Sequence, residues 1–131
     1  MMAQVTAAAL VSESKTLSHP ASVDSVPTSA NQEDHVSMGP IAARKARDVV
    51  GNAERVVAIE FLCAAEAMEH RRPLRSGPGV EAAHAVLRTR VAPLLEDRLL
   101  ATDIAAALEL MASGTILDAA EKAAGPIAGL S

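Results

Sequence analysis

The sequence predicts an all-α fold, and three observations support this prediction. No stretch alternates apolar and polar residues with the period of two that a half-buried strand needs. Apolar residues recur instead at helical spacing, as at Ile104, Leu108 and Met111, and Pro and Gly residues separate the periodic segments. Half of the 131 residues are apolar, and no internal repeat is present. We therefore interpret residues 1–131 as a single helical segment with some apolar surface left for contact with another chain.

Five helices are predicted along the chain. Residues 1 to about 15 have the Ala-rich composition of a helix, although no N-cap residue precedes them. An unusually long helix is predicted over about 38–69, with Pro40 in its first turn and Pro73 beyond its end. Two Pro and two Gly in residues 71–79 predict a loop. Shorter helices are predicted over about 79–90, 102–113 and 116–124, and Gly114 separates the last two.

A polar loop over residues 16–37 is the candidate functional site. It lies between two apolar helical segments, and Pro20 and Pro27 stiffen it. Asn31-Gln32-Glu33-Asp34-His35 stands just before the long helix. Because stiff loops on a rigid scaffold often carry reacting groups, we expect function to reside in this loop.

Composition excludes several classes of partner. The net charge of −4 and the presence of one Phe, no Tyr and no Trp argue against binding nucleic acid. The apolar stretches 56–59 and 61–65 are interrupted by Glu60 and are shorter than the roughly 20 residues of a membrane span. Cys63 is the only cysteine, and we expect it to be a buried, inert thiol. The sequence therefore predicts a cytoplasmic protein with no nucleic-acid or membrane partner.

Four stretches carry a resemblance to a known family, namely residues 3–10, 18–25, 27–39 and 42–45. Together they resemble the C-terminal part of the histidine ammonia-lyases, a branch of the aromatic amino acid lyase family. The resemblance covers essentially the whole chain. It implies a fragment of that family's long-helix bundle and an enzyme that converts L-histidine to urocanate and ammonia in histidine catabolism. It also implies a homotetramer whose active sites combine loops from several subunits.

Glu33 is the candidate catalytic residue, because it matches the family's glutamate that helps to deprotonate or orient histidine. The reaction removes a weakly acidic hydrogen from the carbon beside the imidazole, so a base must lie within hydrogen-bond range. The alternative is that Glu33 and Asp34 stabilise the N-terminus of the following helix through its dipole. The glutamate after Asn31-Gln32 favours the histidine branch over the phenylalanine and tyrosine lyases and the aminomutases.

Three further residues are candidate substrate-binding residues. Gln32 and Asn31 can supply amide hydrogen bonds to the substrate, with support of the loop as the alternative for both. Met1 matches a residue that lines the family's pocket. No metal site is predicted, because Asp34 and His35 have no second ligand pair at helical spacing. The Ser, His and Asp side chains of residues 18–25 are not interpreted as a catalytic triad, because residues so close in sequence rarely reach triad geometry, and Asp24 or Ser22 is expected to stabilise a turn.

No cofactor is predicted within this chain. In the resembled family, an Ala-Ser-Gly tripeptide in the N-terminal part cyclises to a methylidene-imidazolone group, and that part is missing from this sequence. Ala112-Ser113-Gly114 has the same letters but falls where a helix is expected to end. We therefore expect the chain alone to be inactive and to require the missing N-terminal part or like subunits. The alternative is a non-catalytic helical assembly module, or a remnant, that associates with a full-length lyase.

Overall fold

A computed structural model describes residues 2–126 of the chain, and over this range it is helical without β-strands. The five α-helices of this range are α1 (Met2–Leu17), α2 (Gly39–His70), α3 (Pro78–Arg88), α4 (Leu100–Ala112) and α5 (Thr115–Ala124). An isolated β-bridge joins Thr28 to Glu33 in the loop between α1 and α2. The predicted all-α class is therefore confirmed.

Pro and Gly residues account for several helix ends. Pro40 is tolerated at the second position of α2, where the backbone needs no N–H donor within the helix. Pro78 is the first residue of α3, where its fixed φ favours the helical conformation. Gly114 follows α4 with a φ of +76°, a left-handed conformation that glycine adopts at little cost. The prediction that Ala112-Ser113-Gly114 ends a helix is thus confirmed.

The chain divides between Val56 and Val57 into two compact units, and α2 contributes to both. The first unit contains α1, the loop and the first part of α2. Asn52 of α2 is buried there and donates hydrogen bonds to Glu13 Oε2 at 2.9 Å and Ser14 Oγ at 3.4 Å. These bonds fasten the last turns of α1 to α2.

The second unit has an apolar core formed by the rest of α2 and by α3 to α5. Leu87 is fully buried at its centre. Small side chains let the helices approach closely, because a Cβ added at Gly79 would lie 3.0 Å from the Cβ of Ala124. The other buried core residues are Ala58, Ala65, Val91, Ala107 and Leu110. Burial of these side chains supplies the main driving force for packing in this unit.

A network of charged side chains joins α2 to α3 beside this core. The guanidinium of Arg88 donates to Glu66 at 2.8 Å and to Glu69 at 2.9 Å. His84 Nε2 lies 2.9 Å from Glu69 Oε1, and the N–H of Leu94 donates to Glu66 at 2.7 Å. The hydrogen bond from Arg88 lowers the pKa of the Glu69 carboxyl from its ordinary value of 4.5.

Cys63 is exposed, so the expectation of a buried thiol was wrong. The sequence around Cys63 is apolar on nearly every side of α2, and periodicity alone does not tell which side is covered. The buried residues Ala58 and Ala65 face the core, while Val57 is 47% exposed. Within residues 2–126, other helices therefore cover only one face of this part of α2, and Cys63 lies on a face that they leave exposed.

None of the individual helices in residues 2–126 is long and apolar enough to cross a membrane. Helices α4 and α5 meet the length and composition requirement only as a pair, and they are bent by 61° at the break between them.

Candidate functional site

The candidate site is the loop between α1 and α2, which contains two short turns of 3₁₀ helix. These turns are Ala21–Val23 and Ser29–Asn31. Pro20 precedes the first turn in an extended conformation with φ of −63° and ψ of 129°. The loop therefore contains local structure along its length, although it has no buried residue.

Glu33 is hydrogen bonded to Thr28 through both its backbone and its side chain. The N–H of Thr28 donates to the carbonyl of Glu33 at 2.9 Å, and the N–H of Glu33 donates to the carbonyl of Thr28 at 3.3 Å. The hydroxyl of Thr28 donates to Glu33 Oε2 at 3.2 Å. Three bonds between the same two residues close the turn and restrict where the carboxylate can lie.

The turn between Thr28 and Glu33 has an unusual backbone. Ser29, Ala30 and Asn31 have φ values of 52°, 56° and 65°, a left-handed conformation that residues with a Cβ rarely adopt. Each such residue costs about 1–2 kcal/mol relative to its right-handed conformation. The N–H of Gln32 donates to the carbonyl of Ser29 at 3.1 Å and helps to hold the turn. Backbone strain of this kind is concentrated at functional sites in proteins.

Three of the four predicted site residues, which are neighbours in the sequence, lie in this turn. Asn31, Gln32 and Glu33 are consecutive and exposed, so their side chains are accessible to a ligand. Met1, the fourth, lies outside the described residues. Asp34 and His35 follow and are also exposed. Within residues 2–126, no group of three or more His, Cys, Asp or Glu side chains could hold a metal ion.

Glu33 has the chemistry of a proton acceptor. Oε2 accepts a hydrogen bond from Thr28, and within the described part of the chain Oε1 has no hydrogen-bond donor. A carboxylate has about four acceptor positions on its two oxygens. Glu33 can therefore keep its contact with Thr28 and still accept a proton or hydrogen bond from a substrate.

The base of the loop is attached to α2 by Lys45. Its ammonium group donates a hydrogen bond to the backbone carbonyl of His19, the second residue after the C-terminus of α1. Lys45 also lines an open groove of about 330 Å³ under the start of the loop. The other residues that line the groove are Leu17, Ser18, His19, Pro20, Ala21, Ala42, Ala46 and Val49.

The contacts of Thr28, Lys45 and Asn52 were not anticipated from the sequence. Thr28 meets Glu33 through a left-handed turn without glycine, in which Asn31 is the one residue of a type that often adopts this conformation. For Lys45 and Asn52, the spacing of the two residues along α2 was a usable sequence signal. Asn52 shares a helix face with the apolar residues Val49 and Val56, and it lies two turns beyond Lys45 on the same side of the helix.

Comparison with known proteins identifies the family to which this chain is similar. Residues 1–89 match the family described as aromatic amino acid lyase. A histidine ammonia-lyase from Symbiobacterium thermophilum is 60% identical over 127 residues, which are 97% of this chain and 25% of the relative. A histidine ammonia-lyase from Sorangium cellulosum is 55% identical, with the same shares covered. The chain therefore spans about a quarter of the length of the curated relatives it matches.

Solved structures agree with this match. The histidine ammonia-lyase from Trypanosoma cruzi superimposes with a TM-score of 0.88 and 48% identity, over 93% of this chain and 24% of that one. The tyrosine aminomutase from Streptomyces globisporus gives a TM-score of 0.86 and 36% identity, over 95% and 24%. Both the sequence match over residues 1–89 and these shared folds lead to one conclusion: the chain belongs to the aromatic amino acid lyase family.

Proposed function

We propose that this chain is the C-terminal part of a histidine ammonia-lyase, an enzyme that converts L-histidine to urocanate and ammonia. The observation that carries the proposal is the strained turn that presents Asn31, Gln32 and Glu33 together. Identity supports the histidine branch, because the chain is 48% identical to the histidine ammonia-lyase structure and 36% identical to the tyrosine aminomutase structure.

In this proposal Glu33 accepts the weakly acidic hydrogen from the carbon beside the imidazole of histidine. Thr28 holds one carboxylate oxygen by a hydrogen bond and leaves the other for the substrate. The geometry argues against the alternative role at the helix dipole. Glu33 lies well before Gly39, the first residue of α2, and the first turn of α2 contains no acidic residue. The dipole acts only within that first turn.

Asn31 and Gln32 bind the substrate in this proposal. Their amide groups both donate and accept hydrogen bonds, so they suit the amino and carboxylate groups of an amino acid. Their positions beside Glu33 would hold the substrate close to the base. Met1 is proposed to line the same pocket.

The chain alone is proposed to be inactive. The resembled family forms its electrophilic prosthetic group from an Ala-Ser-Gly tripeptide, and Ala112-Ser113-Gly114 does not suit that role. The hydroxyl of Ser113 donates to the carbonyl of Leu110 at 3.0 Å and lies 2.7 Å from Thr115 Oγ1. Ser113 thus lies at the break between α4 and α5. We infer that the remaining three-quarters of the enzyme supply the group.

The chain's partners are proposed to be the N-terminal part of the enzyme and like subunits in a homotetramer. Helix α1 has no buried residue, and Met2 and Val5 are 68% and 54% exposed. Apolar side chains exposed on a helix favour contact with another apolar surface. A cytoplasmic location fits a chain whose one cysteine cannot form an intrachain disulfide.

The second candidate function is a non-catalytic assembly module that binds a full-length lyase. The exposed apolar side chains of α1 favour it as well, because they serve association whether or not catalysis follows. The two candidates differ in whether the Glu33 turn, which is residues 28–33, completes an active site.

Co-expression distinguishes these candidates. The chain is purified alone and together with the part of the Symbiobacterium thermophilum enzyme that precedes the matched region, and urocanate is followed by its ultraviolet absorbance. We expect no urocanate from the chain alone and sustained production from the combination. A combination that copurifies without producing urocanate would favour the assembly module. Urocanate from the chain alone would contradict the proposed inactivity.

A further inference from the structure

Both ends of the candidate loop are attached to the beginning of α2. At the far end, the N–H of Gly39 donates to Ser37 Oγ at 3.3 Å, where the loop enters the helix. At the near end, the ammonium of Lys45 donates to the carbonyl of His19. In the range that the structure describes, no other side chain of α2 donates a hydrogen bond to residues 18–37. Both ends of the loop are therefore hydrogen bonded to α2.

The attachment by Lys45 is reinforced further along α2. Asn52 lies two turns beyond Lys45 on the same face of the helix. It is 6% exposed and bonds to Glu13 and Ser14, which stand in the last turns of α1. One face of α2 therefore holds both the end of α1 and the residues that follow it.

The stem of Lys45 lies in the open groove beside the start of the loop. Lys45 is partly buried, and Ala42, Ala46 and Val49 lie beside it along the same face of α2. The opposite wall of this groove includes Leu17 and Pro20 at the start of the loop. Apolar walls hold the lysine stem while its ammonium reaches the carbonyl.

We propose that Lys45 is a positioning residue that places the Glu33 turn relative to α2 by fixing the carbonyl of His19. The inference rests on the proposed lyase function and adds a residue to it. Lys45 acts through the loop and does not touch the substrate. Fixing both ends of a long loop removes conformations that the loop would otherwise sample.

The Glu33 turn and its attachment are separable. The bonds between Thr28 and Glu33 are internal to the turn and do not involve Lys45. Loss of the lysine contact therefore leaves the carboxylate and its hydroxyl partner together but frees the turn to move as a whole. A small misplacement of a reacting group is enough to slow catalysis by up to about a hundredfold.

The first test is kinetic and uses the chain assembled with the N-terminal part. Lys45→Met keeps the length of the side chain but removes the donor, and it should lower kcat about ten- to a hundredfold while KM changes less than about twofold. Lys45→Arg keeps a donor and should restore most of kcat. Lys15→Met, at an exposed lysine of α1, is the matched control and should behave as the wild type.

The second test does not depend on activity and uses the 131-residue chain. Hydrogen exchange of the amides in residues 18–37 should be several-fold faster in Lys45→Met than in the wild type, Lys45→Arg and Lys15→Met. Unchanged exchange would overturn the positioning role even if the assembled protein is a lyase. If the assembled protein is not a lyase, faster exchange in Lys45→Met would still support attachment of the loop by Lys45. If the assembled protein is a lyase, unchanged kcat in Lys45→Met would overturn the positioning role whatever the exchange rates, since only a structural role would remain.

Discussion

Ser29, Ala30 and Asn31 lie in a left-handed conformation immediately before Gln32 and Glu33. Their combined strain must be offset by the bonds that close the turn, chiefly those between Thr28 and Glu33. A relaxed loop of the same polar composition would present Glu33 in many directions. The strain therefore has a function in the proposed enzyme, because it favours one placement of the carboxylate.

Ala30 provides a direct test of that strain. Valine has a branched side chain and resists positive φ more than alanine does, whereas glycine adopts it readily. In the assembled enzyme, Ala30→Val should lower kcat at least about tenfold, since a displaced base loses its productive geometry. Ala30→Gly is the matched control and should retain activity within about threefold. Equal kcat for the two variants would contradict a catalytic role for the turn.

Among the helices, α2 and α3 are joined by charged groups as well as by the apolar core. Arg88 is 12% exposed and bridges Glu66 and Glu69, so its charge is paired on both sides. His84 contacts Glu69 from the same helix as Arg88. Removing one partner of a partly buried bridge of this kind leaves an unpaired charge.

This network predicts how stability depends on pH. Arg88 lowers the pKa of Glu69, so the folded chain binds a proton there less readily than the unfolded chain. The contribution of Glu69 to the free energy of unfolding is thus fully present above pH 4.5 and is lost as the pH falls below 4.5 through the lowered pKa. Urea denaturation at neutral pH and below pH 4.5 measures this loss.

The variant Glu69→Gln identifies the source of that pH dependence. It should be less stable than the wild type at neutral pH and should lose less stability on acidification, because glutamine does not titrate. Glu60→Gln, at an exposed glutamate of the same helix, is the control and should keep the wild-type slope. An unchanged slope in Glu69→Gln would assign the acid sensitivity to other carboxylates, such as Glu81, whose pKa is also lowered.

The ends of the helices were the most predictable feature of the fold, since Pro and Gly act locally. Gly114 ended a helix, and α2 runs over Gly39–His70 where the pattern predicted about 38–69. The exposure of Cys63 was not predictable, because an apolar helix does not reveal which face its neighbours cover. The turn from Thr28 to Glu33 was also not predicted, because Ser29 and Ala30 are residue types that rarely adopt a left-handed conformation, and Asn31 alone favours one.

For the chain as a whole, apolar side chains remain exposed on helices that contribute to both units. Helix α1 has none buried, and Val50 and Val57 of α2 are 57% and 47% exposed. The chain spans about a quarter of the length of its relatives, so these faces are where we expect the rest of the enzyme and its like subunits to pack. The family and the residues of the turn were accessible from the sequence. The remainder of the proposed pocket was not, because in our proposal other parts of the enzyme form it.

The central proposal is that Glu33 exchanges a proton with histidine in the assembled enzyme. The most direct measurement is kcat for urocanate formation by the chain combined with the N-terminal part, with Glu33→Gln compared with Asp34→Asn. We expect Glu33→Gln to lower kcat by roughly two to four orders of magnitude, and Asp34→Asn, the neighbouring exposed carboxylate, to change it little. An unchanged kcat in Glu33→Gln would contradict the proposal.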